Sequence, residues 1–222
     1  MWRDALLVAA KDLRVEWRSR VTTNQIGPFA VIVLVLFAFA LDPDRNVLPK
    51  ATPGLFWVAV LLTTLLAVQR SFAIEAVDQA KDGLRLSGLD PAGIFLGKAV
   101  AVALQLLVLE VLLAAGVTVL YATNLHGPLM LIGTCVAATA GLAGAGTVYG
   151  VLAAGLRVRE TLLPLLLLPV LAPVLLAATK AWEAGLANTP SEGTGWLVLL
   201  GVFATIYLAF GVLAFGSLLE EA

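Results

Sequence analysis

Few strings in this sequence could carry chemistry. GIFLGK, residues 93–98, has the outline of a phosphate-cradling loop, but three residues separate its glycines where four are needed. No Ser or Thr follows its lysine to meet a metal ion, so the chain is not read as its own ATPase. HExxH, GxSxG and paired His or Cys ligands are absent. The single cysteine, Cys135, sits in an apolar tract and reads as a small packed hydrophobe. With no CxxC or CxxCH, neither a metal site nor a covalently bound cofactor is expected. The single histidine, His126, lies in a short loop with Met130 one turn further on, and is a weak candidate haem ligand. Glu110 stands in the middle of a long apolar run. Ionisable groups inside membranes are costly and usually face a cavity or a partner. Two roles are open to Glu110: a pathway or subunit contact, or a hydrogen-bonded neutral carboxyl. No acid, base and nucleophile converge, so an enzyme is not expected.

The elements that must position these residues are apolar helices. The chain is 60% hydrophobic and 13% charged, with a mean hydropathy of +0.98. Its apolar residues are continuous rather than alternating, which favours transmembrane helices over a barrel. Six spans are expected, at about 26–41, 53–69, 97–122, 128–155, 161–179 and 195–218, within a single domain covering 1–222. The first is short for a bilayer. The fourth carries Gly141, Gly144, Gly146, Gly150 and Gly155, and should be central and tightly packed. The fifth carries Pro164, Pro169 and Pro173, each able to bend the helix or to shape a substrate path. Residues 1–20 form an amphipathic helix: Trp2, Leu6, Ala9, Leu13 and Trp17 share one face, opposite Asp4, Lys11, Arg14 and Arg18. Such a helix suits the membrane surface.

Of 14 lysines and arginines, only Arg45, Lys50 and Lys180 fall on one side of this arrangement. The positive-inside rule puts the other side in the cytoplasm, with both termini and the polar loop 69–93. In that loop Ala73, Val77, Ala80 and Leu84 share one helical face, and Glu75, Asp78, Asp82 and Arg85 another. Asp78 and Asp82 each have a cation three residues on, Lys81 and Arg85. Gly83 should bend this short cytoplasmic helix, and Gly88 and Pro91 end it. Its mixed charge argues against an anionic lipid surface and for a groove on a protein partner. No basic patch interleaves with aromatics, so no nucleic-acid partner is expected.

The residues resemble those of the cytochrome c maturation permease family, haem exporter protein B. The likeness begins at KDLRVEWRSR and is strongest in TPGLFWVAVLLTTLLAVQRSF, through Pro53, Gly54, Trp57, Val58, Ala59, Leu61, Leu62, Leu65, Leu66, Arg70 and Phe72. It continues through Asp78, Leu84, Leu86 and Lys98 and the stretch LLPLLLLPVLAPVLLAAT, with Leu168, Pro169 and Pro173. Two positions depart: Gln79, where the family commonly has glycine, and Gly88, where it tends toward proline. The resemblance implies an all-α, ABC-2-like permease with a cytoplasmic coupling helix, in a bacterial inner membrane. A separate cytoplasmic ABC ATPase would bind ATP and grip Arg70, Phe72, Glu75, Asp78, Asp82, Leu84 and Arg85. Other cytochrome c maturation membrane subunits and a haem chaperone would complete the complex, with haem as cargo. Two copies would pair, or one would pair with another membrane subunit. Trp57, Glu110, Pro169 and Pro173 are the expected pathway or subunit contacts. The rival expectations are an ABC-2-type exporter of a drug or lipid and a membrane scaffold that moves nothing.

Overall fold

In the computed structural model, residues 1–20, 22–41, 47–77, 88–154 and 159–221 are described. They form seven α-helices and no strand: α1 (Trp2–Ser19), α2 (Gly27–Ala40), α3 (Leu48–Val77), α4 (Pro91–Leu120), α5 (Pro128–Ala154), α6 (Arg159–Leu186) and α7 (Pro190–Glu221). A π-helical turn, Thr22–Ile26, leads into α2. The six expected spans coincide with α2 to α7, and most of the helices run several residues past the apolar limits. Polar residues at a helix end still complete its hydrogen-bond ladder, so hydropathy alone trims the ends.

Five helices, α3 to α7, are long and apolar enough to cross a membrane. α2 has only 14 residues, roughly 21 Å at 1.5 Å per residue, against a hydrocarbon core of about 30 Å. A sixth crossing is completed only if α1 and Asn24–Ala40, which meet at 53°, act as one broken span. By itself α2 is therefore shorter than a full crossing, as the sequence suggested.

α3 departs from expectation at its end. It continues without a break to Val77, so residues 69–77 extend the membrane helix rather than opening a separate one. No glycine or proline interrupts that stretch. The expected bend at Gly83, and residues 78–87 generally, lie outside the described residues. The chain re-enters at Gly88, whose φ of +67° suits a residue without Cβ. Asp90 then caps α4, its carboxylate accepting the Ala92 N–H at 3.2 Å, and Pro91 occupies the first turn.

α1 packs along the first turns of α4, and it does so with small residues. Ala5, Val8 and Ala9 are buried, while Trp2, Leu6 and Trp17 are 72%, 73% and 83% exposed. A Cβ on Gly97 would stand 2.6 Å from the Ala5 carbonyl oxygen, so the backbones pass too closely for any other residue. Polar contacts pin the same face. The terminal ammonium lies 3.2 Å from Asp4 and 3.4 Å from Asp90, and Asp90 N–H reaches Asp4 Oδ2 at 3.4 Å. Further along, Asp12 Oδ2 lies 3.6 Å from Lys98 Nζ. The tryptophan face is therefore free to meet lipid headgroups, as a surface helix requires.

α5 is the central helix, as its glycines suggested: residues 141–148 are all buried. Gly141 and Gly144 admit Phe203 and Leu208 of α7, Gly146 admits Val68 of α3, and Gly150 faces the Phe72 ring. Gly155 lies outside the described residues. At the opposite end the Tyr121 hydroxyl donates to the Leu34 carbonyl at 3.0 Å and ties α2 to α4.

Two predictions follow from this packing. Gly97→Ala should lift α1 from α4 at an overpacking cost of about 1–3 kcal/mol. Faster tryptic cleavage at Arg14 and Arg18 would report it. Gly201→Ala, where nothing lies within 4 Å of a new Cβ, should leave the thermal midpoint unchanged or raise it, since alanine is the better helix former by about 1 kcal/mol. Docking of α1 should also weaken in acid. The terminal ammonium, and then the Asp90 N–H, hold the Asp4 carboxyl below its usual range. A lowered carboxylate stabilises above its ordinary pKa and stops doing so as pH falls through the lowered value. Cleavage within α1 by pepsin, an acid protease, measured below about pH 4 with a non-titrating Asp4→Asn control alongside, checks this: it should rise as pH falls more in the parent than in the control.

Candidate functional site

Two regions bring chemically distinctive residues together. The first is the α3–α4 end of the bundle. Phe72 is buried, its ring against Gly150 and its centroid 5.0 Å from Lys98 Nζ. Lys98 lies about two turns beyond the α4 N-cap and is itself buried. An ammonium over an aromatic face, with a carboxylate close by, recovers part of the hydration it gives up. Asp12 supplies that carboxylate and also meets Lys11 at 2.8 Å. Three helices thus meet at one cation: α1 through Asp12, α3 through Phe72 and α4 through Lys98.

Of the residues expected to grip a partner, Arg70 is exposed on α3 and Phe72 is interior. Glu75 belongs to α3 by its backbone, but its side chain lies outside the described residues, as do Asp78, Asp82, Leu84 and Arg85. Sequence reasoning singled out Phe72 and Lys98 separately and missed their pairing with Asp12. The missed signal was a lysine set seven residues into an apolar helix.

The second region is the bundle interior. Glu110 of α4 is 3% exposed. The Thr139 hydroxyl of α5 donates to its Oε1. Its Oε2 is buried with no hydrogen-bond partner among the described residues, and so are the indole Nε1 atoms of Trp57 and Trp182. The Cys135 thiol lies close enough to both Glu110 and Trp182 to interact with each. Sulfur is a weak donor and acceptor and satisfies neither fully. Trp182 stacks on Phe56 at 3.9 Å and meets Trp57 edge-on at 6.4 Å. Thr139 and Cys135 are four residues apart and share a face of α5. Each buried, unpaired polar atom costs about 1–3 kcal/mol, so this cluster needs a reason to persist.

Between α3 and α6 runs a groove of about 340 Å³, lined by Gly54, Trp57, Leu175, Leu176, Thr179 and Lys180. Trp57 belongs to both the groove and the aromatic cluster. Pro169 and Pro173 do not line it; both are exposed on α6, where they can meet lipid or another subunit. His126 is exposed in the turn before α5, its backbone N–H bonded to the Asn124 carbonyl at 3.0 Å. Among the described residues no three His, Cys, Asp or Glu side chains converge as a metal site.

Comparison with known proteins gives this architecture its relatives. The family model described as CcmB protein matches residues 3–221. A protein of Haemophilus influenzae named heme exporter protein B is 31% identical over 204 residues, covering 88% of each chain. One of the same name from Pseudomonas aeruginosa is 31% identical over 218 residues, covering 94% of each. Another, from Escherichia coli strain K12, is 34% identical over 194 residues, covering 86% of each. With the family model matched from α1 to the end of α7, and relatives aligned over nearly the whole length, the chain belongs to the CcmB family.

Proposed function

We propose that the chain is the membrane permease subunit of a haem-export system that serves c-type cytochrome maturation. The observation that carries this reading is the whole-length match to proteins named heme exporter protein B. Multiple apolar helices agree with a permease. Haem is the cargo rather than a resident cofactor, and the exposed His126 could offer it an imidazole in passing. ATP is bound and hydrolysed by a separate cytoplasmic ABC ATPase. The complex includes further maturation subunits of the bacterial inner membrane and hands haem to a chaperone. Both termini and the α3–α4 loop face the cytoplasm, which follows from the lysine and arginine distribution.

The geometry suggests how the ATPase would act. A partner gripping Glu75, Asp78 and Asp82, with Leu84 and Arg85, pulls on α3 and α4 directly. The Phe72–Lys98–Asp12 contact then carries the movement into α1. α3 also lies against α5 at Gly146 and Gly150, so a tilt of α3 reaches the centre of the bundle. Only contacts that differ between the two states can drive such a shift.

Two measurements test this. Reversing the charges of Glu75, Asp78 and Asp82 together should abolish copurification of the ATPase from detergent-solubilised membranes, while the chain itself still accumulates. Copurification at the parental level would refute the coupling role. Deletion of the chain should remove haem-stained c-type cytochromes, and retention of those cytochromes would redirect the reading to another exported substrate.

A further inference from the structure

We propose that Glu110, Trp182 and Trp57 line an internal water site, fed through the groove between α3 and α6. The inference concerns the resting bundle and does not depend on the ATPase. It starts from three buried polar atoms: Trp57 Nε1, with no partner among the described residues, and Glu110 Oε2 and Trp182 Nε1, each beside only the weakly polar Cys135 thiol. Trp57 and Trp182 are each 1% exposed and Glu110 is 3%, so bulk solvent does not serve them directly. They are not scattered. Cys135 links Glu110 to Trp182, and Trp182 meets Trp57 at 6.4 Å. The contacts therefore run in sequence from Glu110 on α4 through Cys135 on α5 and Trp182 on α6 to Trp57 on α3.

Their chemistry is complementary. The free carboxyl oxygen of Glu110 can accept a hydrogen bond, and the two indole N–H groups can only donate. A molecule that serves both must donate to one and accept from the other. Water does so, and it commonly fills such positions between buried polar groups. Larger polar solutes would need to break the Phe56–Trp182 stack at 3.9 Å.

The line also has an entrance. Trp57 forms part of the groove wall, and Gly54 lies one turn before it. A Cβ built on Gly54 meets nothing within 4 Å, so the floor there is open. Thr179 and Lys180 bring polar atoms to one end of an otherwise apolar lining. Lys180 is half exposed and paired with Glu183 at 2.8 Å, which fits an end that sits at the water interface rather than in hydrocarbon.

Hydroxyl-radical footprinting of the full chain in lipid nanodiscs, read by mass spectrometry, tests the proposal. Radicals form where water resides, and Cys135, the single cysteine, together with Trp182, reports on the site. Both should be oxidised in the parent. Oxidation of both should fall several-fold in Glu110→Leu, which removes the carboxyl. It should also fall in Gly54→Leu, which puts an apolar side chain into the groove from a position where a Cβ meets nothing within 4 Å. The exposed Trp2 and Trp17 should label equally in all three proteins. Should Glu110→Leu fail to fold, Gly54→Leu decides alone. A parent in which Trp182 and Cys135 resist oxidation, as a dry or lipid-filled groove requires, overturns the proposal. So does unchanged Trp182 oxidation in Gly54→Leu.

Discussion

Lipid tails are as apolar as leucine, and the rest of this structure depends on that fact. Helices inside a bilayer gain no hydrophobic free energy by meeting one another. They associate where backbones can come close enough for dispersion contacts to add up. In this chain that closeness is supplied by glycine facing a large side chain or a neighbouring backbone. Gly150 receives Phe72, Gly146 receives Val68, Gly97 receives Ala5 and Val8, and Gly211 receives Phe95. These pairings join three pairs of helices: α3 with α5 twice, α1 with α4, and α4 with α7. Together they set the order of the bundle, with α5 at its centre and α1 held beside α4.

The same constraint explains why polar contacts are few and local. Most threonine hydroxyls return to a carbonyl three or four residues back in their own helix, as Thr63, Thr64, Thr134 and Thr147 do. That leaves their helix surfaces effectively apolar. Polar groups that reach between helices are therefore conspicuous: Tyr121 to Leu34 near one end, Lys98 to Asp12 at the other, and Glu110 to Thr139 between. In hydrocarbon a polar contact fixes register, because sliding one helix past another would leave both partners unpaired.

Much of this was legible in the sequence, and the reasons differ by element. Spans announce themselves because a bilayer demands length and apolarity together, and the glycine run in α5 declares close packing by residue type. α1 was legible as amphipathic, yet its docking face was not. The eye follows large residues, whereas Ala5, Val8 and Ala9 are what α4 accepts. The helix of the second span was cut short because charge density marks solvent rather than the end of a helix; α3 carries its ladder through Arg70 and Glu75 to Val77. The interior cluster was half legible. Glu110 stood out as an ion in an apolar run, but its companions Trp182, Cys135 and Thr139 lie 25 to 72 residues away along the chain and are joined only by the fold. No local period encodes such a meeting.

α3 and α4 each contain 30 residues, roughly 45 Å of helix, across a hydrocarbon layer of about 30 Å. If both stand near the membrane normal, they overshoot it by up to about 15 Å. The polar residues Arg70, Glu75, Asp90 and Lys98 all gather at the end they share. A surplus of that size is comparable with the depth of the headgroup layer, which is where α1, packed on the first turns of α4, turns its exposed Trp2 and Trp17. The shared end of α3 and α4 and the surface helix then occupy one interfacial layer, so a displacement of either helix is also a displacement of α1 along the lipid surface.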